Sequence, residues 1–336
     1  MSSQFAPVSV AVIGCGRISK SHLDAMQAQP HLARVVVVAD TDAARAQATA
    51  QRHGVRVSTT DVDAALAHPD VEAVLICTPN SLHTTHTLQA LAAGKHVLLE
   101  KPMAENAADA RRMADAAAAA SRVLALGHTF RHSNAVRLMQ DRFAEFGQLL
   151  ALEVSQCVFW DGPQAPWWRD LTPEQGVILS LFAPHAIDFT QLVMRDDPLR
   201  VHVETARHQH GWQGEDEAMI LLGYPGQRMA SIHVSYNQRR VIDRKILSFD
   251  RGVLRVEDGE WLYWNDELLV SGDDDPAQLR RMGGRDLSAA FRTQFAEFAR
   301  AVRGLPNRSV LHEEAWRQSQ LLDRVRAAAR ASRATG

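Results

Sequence analysis

Lys101 stands in Glu100-Lys101-Pro102, directly after the apolar run Val97-Leu98-Leu99. The chain otherwise almost avoids lysine: Lys20, Lys95, Lys101 and Lys245 are its four lysines against 33 arginines. An ammonium can be tuned to lose its proton and a guanidinium cannot, so a lysine kept at the end of a buried strand points to acid-base chemistry closed to arginine. A second candidate lies near the N-terminus, where Gly14-Cys15-Gly16-Arg17-Ile18-Ser19 follows an apolar run and opens a helix. In a dinucleotide fold the first glycine permits the tight turn, the second lets the backbone approach a pyrophosphate, and the helix N-terminus offers N–H groups with partial positive charge. Ser19 takes the place of the third glycine, and a small residue still allows close packing of strand and helix. Asp40 ends the second strand, 24 positions after Gly16. A carboxylate there would accept from adenosine ribose hydroxyls and repel a 2′-phosphate, which favours NAD over NADP. Asp42 adds negative charge, and no cation follows before Arg45.

The C-terminal half offers His185, which follows Pro184 as in the first turn of a helix, with Asp188 one turn on. That spacing lets Asp188 steady the helix start or the imidazole. Trp160-Asp161 and Trp167-Trp168-Arg169-Asp170 form an aromatic and charged loop segment. Trp168 suits the apolar face of a sugar ring, and Arg169 and Arg131 suit a carboxylate or phosphate, while loop aromatics serve equally as interface or core residues. His83 and His86 share a helix face, but no third ligand accompanies them, so no metal site is expected. His208 and His210 alternate on one strand face as surface residues.

These residues need a scaffold, and the hydrophobic pattern describes one. Residues 8–13, 34–39, 71–76, 96–99 and 122–126 are runs too short for helices and apolar on both faces, as strands of a parallel sheet are. Helical stretches at 19–28, 43–53, 81–93 and 107–120 separate them, which is the pattern of a doubly wound α/β sheet. Pro79-Asn80-Ser81 opens one helix and Gly94 closes it. Beyond Gly127 a helix at 134–146 leads into period-two runs at 150–158, 200–208, 217–222, 228–234, 244–249 and 252–256, an antiparallel sheet. An exposed loop at 273–284 and helices at 287–303 and 313–331 complete the chain. The expected domains are 1–128 and 129–336, with helix 313–331 packing back on the first.

Composition narrows the function classes. A chain of 336 residues, 46% hydrophobic and 23% charged, is an ordinary globular protein of about two domains. A net charge of −2 without basic clusters leaves no footprint for nucleic acid. No run approaches the ~18 apolar residues of a membrane span, and no basic-then-apolar segment opens the chain. Cys15, Cys77 and Cys157 lie far apart, so neither a disulfide framework nor a zinc site is expected, and a reducing cytoplasm fits.

Thr78-Pro79-Asn80-Ser81-Leu82-His83, then Ala90-Leu91-Ala92-Ala93-Gly94-Lys95-His96-Val97, then Glu100-Lys101-Pro102, in this order behind a dinucleotide turn, resemble the Gfo/Idh/MocA oxidoreductases. This is the group of glucose-fructose oxidoreductase and inositol dehydrogenase. The resemblance covers essentially the whole chain. It implies an N-terminal Rossmann dinucleotide-binding domain and a C-terminal α+β domain with a large, mainly antiparallel open sheet. It also implies homodimers or homotetramers acting on sugars, cyclitols or related polyols. Gly14, Gly16, Arg17, Ile18, Asp40, Thr78, Pro79, Asn80, His83 and Glu100 would then belong to the cofactor site, Lys101 would lie beside nicotinamide and substrate, and the bond before Pro102 would be cis.

A second motif of that family, G-G-G, an aspartate, then G-x-H-x-x-D, falls on residues 175–188. His185 and Asp188 are present, but Leu181, next to Ser180, stands where the intermediate aspartate is expected. A simple copy of the inositol dehydrogenase site is therefore not expected. The reading that follows is hydride transfer between a secondary alcohol carbon and nicotinamide C4, with His185 as general base and Lys101 as donor to the oxygen. Substrate contacts are expected from Lys101, Arg131, Trp168, Arg169, His185 and Asp188. Ala183-Pro184-His185 and Gly127-His128-Thr129-Phe130 resemble family members that oxidise nucleotide-linked sugars, an alternative substrate class. A non-catalytic NAD or sugar sensor is the second alternative.

Overall fold

The computed structural model describes residues 5–172, 175–209, 211–270 and 286–335. His210 and the loop expected at 273–284 lie outside them. The chain divides into two compact units, Met1–Thr129 with Leu287–Ser319, and Phe130–Asp286 with Gln320–Gly336.

In the first unit β1 (Val8–Ile13), α1 (Arg17–Gln27), β2 (Ala33–Ala39), α2 (Ala43–His53), β3 (Val57–Thr59), α3 (Val62–Ala67), β4 (Ala73–Ile76), α4 (His83–Ala92), β5 (His96–Leu99), α5 (Ala107–Ala120) and β6 (Leu124–Leu126) alternate. The helices start where side chains supply the missing acceptors: Asp42 accepts from Arg45 N–H, Asp61 from Asp63 and Ala64, and Asn106 from Asp109. The sheet runs β6-β5-β4-β1-β2-β3 with parallel pairing throughout, and the strand Val310–Leu311 adds antiparallel to the edge of β6. Strand order reverses between β1 and β4, the place where a doubly wound sheet opens a crevice at its carboxyl ends.

The hydrophobic pattern alone predicts a second domain over residues 129–336, with helix 313–331 packing back on the first. Residues 287–319 instead fold with the first unit. The cause is the apolar stripe Phe295, Phe298 and Ala299 of the helix Ser288–Val302, which joins Leu23 and Met26 of α1 in one buried cluster. The helix His312–Thr335 belongs to this unit only as far as Ser319. Its Leu321, Leu322, Val325 and Ala329 belong to the core of the second.

The second unit contains α6 (Asn134–Arg142), β7 (Leu149–Phe159), α7 (Ile178–Leu181), α8 (Ala183–Met194), β8 (Arg200–Ala206), β9 (Glu217–Gly223), β10 (Met229–Ser235), β11 (Asn237–Phe249), β12 (Gly252–Glu257), β13 (Trp261–Trp264) and β14 (Glu267–Val270). Its sheet runs β14-β13-β12-β11-β7-β10-β9-β8, antiparallel except where β7 meets β10. Ala218, Ile220 and Leu222 of β9 and Ala230, Ile232 and Val234 of β10 face a core shared with Ile187 and Val193 of α8. The alternate residues Met219, Leu221 and Met229 are half exposed or more.

Candidate active site

The expected cofactor residues of the first unit all lie at the carboxyl ends of its central strands. Gly14 follows β1, Asp40 follows β2, Thr78 follows β4, and Glu100-Lys101 follows β5. Gly14 has φ +91°, and a Cβ there would stand 2.6 Å from the Cys77 carbonyl oxygen, so both the turn and the close strand approach require glycine. A Cβ on Gly16 would have no heavy atom within 4 Å. Gly16 caps α1 with no side-chain hydrogen bond and no acid in the first turn, which leaves the helix N-terminus to an anion. Ser19 donates its hydroxyl to the Gly16 carbonyl at 2.7 Å and is buried. Arg17 is exposed and Ile18 half-buried beside the turn.

Asp40 is already engaged. Oδ2 accepts from Cys15 N–H at 2.8 Å, and Oδ1 accepts from Asp42 N–H at 2.9 Å and from Arg45 at 3.1 Å. The half-exposed Arg45 also bonds Asp42, so two carboxylates face one guanidinium and the corner stays negative. This balance still disfavours a 2′-phosphate. An open glycine cradle, an uncapped helix N-terminus and an acidic corner together fit a dinucleotide.

Two expected pocket residues have other duties. His83 is buried, with Nδ1 2.7 Å from the Pro102 carbonyl and Nε2 3.0 Å from that of Thr78. It thus ties the loop after β4 to the loop after β5, whose Lys101–Pro102 bond is cis. Burial lowers its pKa. Glu100 turns its carboxylate to His22 Nε2 at 2.7 Å and to Lys101 N–H at 3.2 Å. Asn80 is buried in the 3-10 turn Asn80–Leu82, and Thr78 and Pro79 remain half-buried at the rim. Lys101 itself is half-buried. Burial pushes its amine towards the neutral form, against the pull of Glu100, and Arg17 adds to the push.

In the second unit His185 lies in the first turn of α8, half-buried and stacked on Phe130 at 4.3 Å between centroids. Phe182 meets it edge-on at 6.3 Å. The approach to α8 is held by Glu215, whose Oε1 accepts from Val177 N–H at 3.0 Å and Leu179 N–H at 3.2 Å. Gly176, at φ +74°, makes room, since a Cβ there would lie 2.5 Å from that oxygen. Ser180 donates its hydroxyl to the Gln175 carbonyl and receives Arg326 at 2.7 Å. Leu181 is buried.

Three substrate candidates lie in the interior of the second unit. Arg131 and Asp188 hold each other in the interior, Nη2 to Oδ1 at 2.5 Å and Nε to Oδ2 at 3.2 Å, with side chains 5% and 4% exposed. The pair is thus largely closed to water and satisfied within the second unit. Trp168 is buried among Trp160, Trp167 and Tyr236, so its ring is a core element. Arg169, in the same 3-10 turn Pro166–Asp170, is exposed. Sequence reasoning missed His22, because nothing local marks a helix residue whose partner lies 78 positions away.

A family described as "Oxidoreductase family, NAD-binding Rossmann fold" matches residues 8–128, and the GFO/IDH/MocA C-terminal domain matches residues 138–255. The chain belongs to the GFO/IDH/MocA oxidoreductase family, and its first domain is an NAD-binding Rossmann domain. A 1,5-anhydro-D-fructose reductase of Ensifer adhaerens is 36% identical over 210 residues, 61% of this chain and 62% of that protein. A 4-carboxy-2-hydroxymuconate-6-semialdehyde dehydrogenase of Sphingobium sp. is 26% identical over 90% of this chain and 93% of its own. A levoglucosan dehydrogenase solved with NADH and levoglucosan shares the fold at a TM-score of 0.84 and 20% identity, over 97% of this chain and 98% of that one.

Proposed function

We propose that the protein is an NAD-dependent dehydrogenase that moves a hydride between the nicotinamide and a secondary alcohol of a sugar, cyclitol or related polyol. The observation that supports this best is Lys101, a lysine at the carboxyl end of β5 in the dinucleotide crevice, with an amine that burial predisposes to lose its proton. NAD would be held by the turn at Gly14 and Gly16, the start of α1 and the acidic corner at Asp40, and it supplies the hydride acceptor at nicotinamide C4. In the oxidative direction the carbinol C–H bond breaks, its electron pair leaves with the hydride, and the product is a ketone. His185 takes the hydroxyl proton. Lys101 donates to the same oxygen and stabilises the negative charge that develops on it.

A panel of polyols, sugars, sugar acids and nucleotide sugars, assayed for NADH formation, tests the reading. One class is expected to be turned over clearly above the others. Tight NAD binding with no turnover of any class would sink it in favour of a sensor.

The same reading makes the protein a cytoplasmic homo-oligomer. Its three thiols are unpaired and buried, as a reducing compartment permits, and among the described residues no helix is long and apolar enough to cross a membrane. The open sheet face carries Met219, Leu221, Met229 and Val253, each 43–56% exposed, an apolar patch suited to a second copy. Met219→Glu with Leu221→Glu is expected to halve the mass measured by sedimentation, or more, without loss of secondary structure. An unchanged mass would show that this face is not the contact.

A further inference from the structure

His22 and Glu100 meet inside the first unit, Nε2 to Oε1 at 2.7 Å, with side chains 2% and 9% exposed. His22 projects from α1, and its ring is braced edge-on by Phe291 at 4.8 Å. The second carboxylate oxygen, Oε2, accepts from the Lys101 backbone N–H at 3.2 Å. Gly127 leaves the space, since a Cβ there would come within 3.0 Å of Oε1 and 3.2 Å of the Leu99 carbonyl. The carboxylate is thus fixed by an imidazole, a backbone amide and a missing side chain.

We propose that His22 and Glu100 are a positioning pair for Lys101: they fix the backbone from which the lysine projects and keep one negative charge behind its ammonium. The electrostatics are consistent. Burial alone would protonate Glu100, but the hydrogen bond and charge of His22, with help from Lys101, hold its carboxyl below the usual range. For Lys101, burial drives the proton off, Glu100 draws it back, and Arg17 opposes. The other titratable groups at this corner are His83, which senses both Glu100 and Lys101, and Cys77, which senses Glu100. Burial favours the neutral form of each. Glu100 is therefore the counter-charge that opposes loss of the Lys101 proton, and His22 is the donor that holds Glu100 in its ionised form. His22 sits on the helix opened by the glycine turn, so one helix serves both the cofactor cradle and the lysine.

The inference rests on Lys101 as the group at the reacting oxygen, but its test does not use turnover. Lys101 in the full chain is acylated with a small amine reagent across a pH series and quantified by mass spectrometry, with the exposed Lys20 as internal reference. Glu100→Gln removes the counter-charge, and its labelling midpoint is expected to fall by about one pH unit, a roughly tenfold faster reaction at fixed pH below it. His22→Leu strands the carboxylate, which then takes up a proton, so the same downward shift is expected. His22→Gln restores a donor and the wild-type midpoint, and the double variant His22→Leu with Glu100→Gln moves no further than either alone. If Glu100→Gln does not fold, the contrast between His22→Leu and His22→Gln carries the test. Folded variants whose Lys101 curves superimpose on the wild type, or shifts that add, would overturn the proposal. An inactive substrate panel would not touch it.

Discussion

Lys101→Met is expected to lower kcat/KM by about 10³-fold while NAD binds as before. Methionine fills nearly the same volume and removes only the ammonium, so the crevice at Gly14, Gly16 and Asp40 keeps its shape. What is lost is a donor aimed at the oxygen whose charge changes most along the reaction. Water is a poor replacement, because the amine is held where burial already penalises charge. Lys101→Arg distinguishes charge from chemistry. Its guanidinium is permanently charged, broader, and unable to share a proton, so activity should stay low. The measurement is steady-state kinetics on the best substrate beside NAD titration by fluorescence. Near-normal turnover of the arginine variant with normal cofactor affinity would remove Lys101 from the chemistry.

Arg131→Met should cost about 3–5 kcal/mol of stability, because it leaves the Asp188 carboxylate buried opposite a thioether. For the second unit unfolding by itself, a size in the range of about 150–250 residues, that corresponds to a fall in Tm of roughly 6–20 °C. Both oxygens of Asp188 accept from the guanidinium, so the pair is bidentate. Pairing Arg131→Met with Asp188→Leu should recover much of the loss, since no buried charge then remains. A substrate-binding arginine behaves differently: its loss raises KM and leaves Tm alone. Thermal unfolding and Michaelis constants of the single variant separate the two, and an unchanged Tm with raised KM would return Arg131 to the substrate.

Local signals foretold the first unit well. Strands Val8–Ile13 and His96–Leu99 and helices Ala43–His53 and Ala107–Ala120 have the bounds that their patterns and caps give. What escaped was short or non-local. β3 has three residues at an edge, and Val310–Leu311 has two, paired with a strand far upstream. β13 and β14 are four residues each and join through Asn265 and Asp266, both at positive φ. That dipeptide between apolar runs was a legible hairpin signal. The site divides in the same way. Gly14, Asp40 and Lys101 stand out in the sequence because motif and position coincide, and the fold sets each just after a strand of the first sheet. Arg131 and Asp188 are 57 positions apart, and Trp168 has the composition of a sugar platform and the burial of a core residue. A sequence displays which groups are present, and only the fold decides which are spent on each other.

His83 has a consequence in hydrogen atoms. Its two ring nitrogens each face a carbonyl oxygen, and oxygens there only accept. A neutral imidazole carries one N–H, and burial favours the neutral ring against the pull of the two carbonyls. One N–H can serve only one of the two carbonyls, Pro102 at 2.7 Å or Thr78 at 3.0 Å, and the other then faces a lone pair. The staple therefore has one firm leg and one compliant leg, and the tautomer of this single ring decides which of the loops after β4 and β5 is the one held.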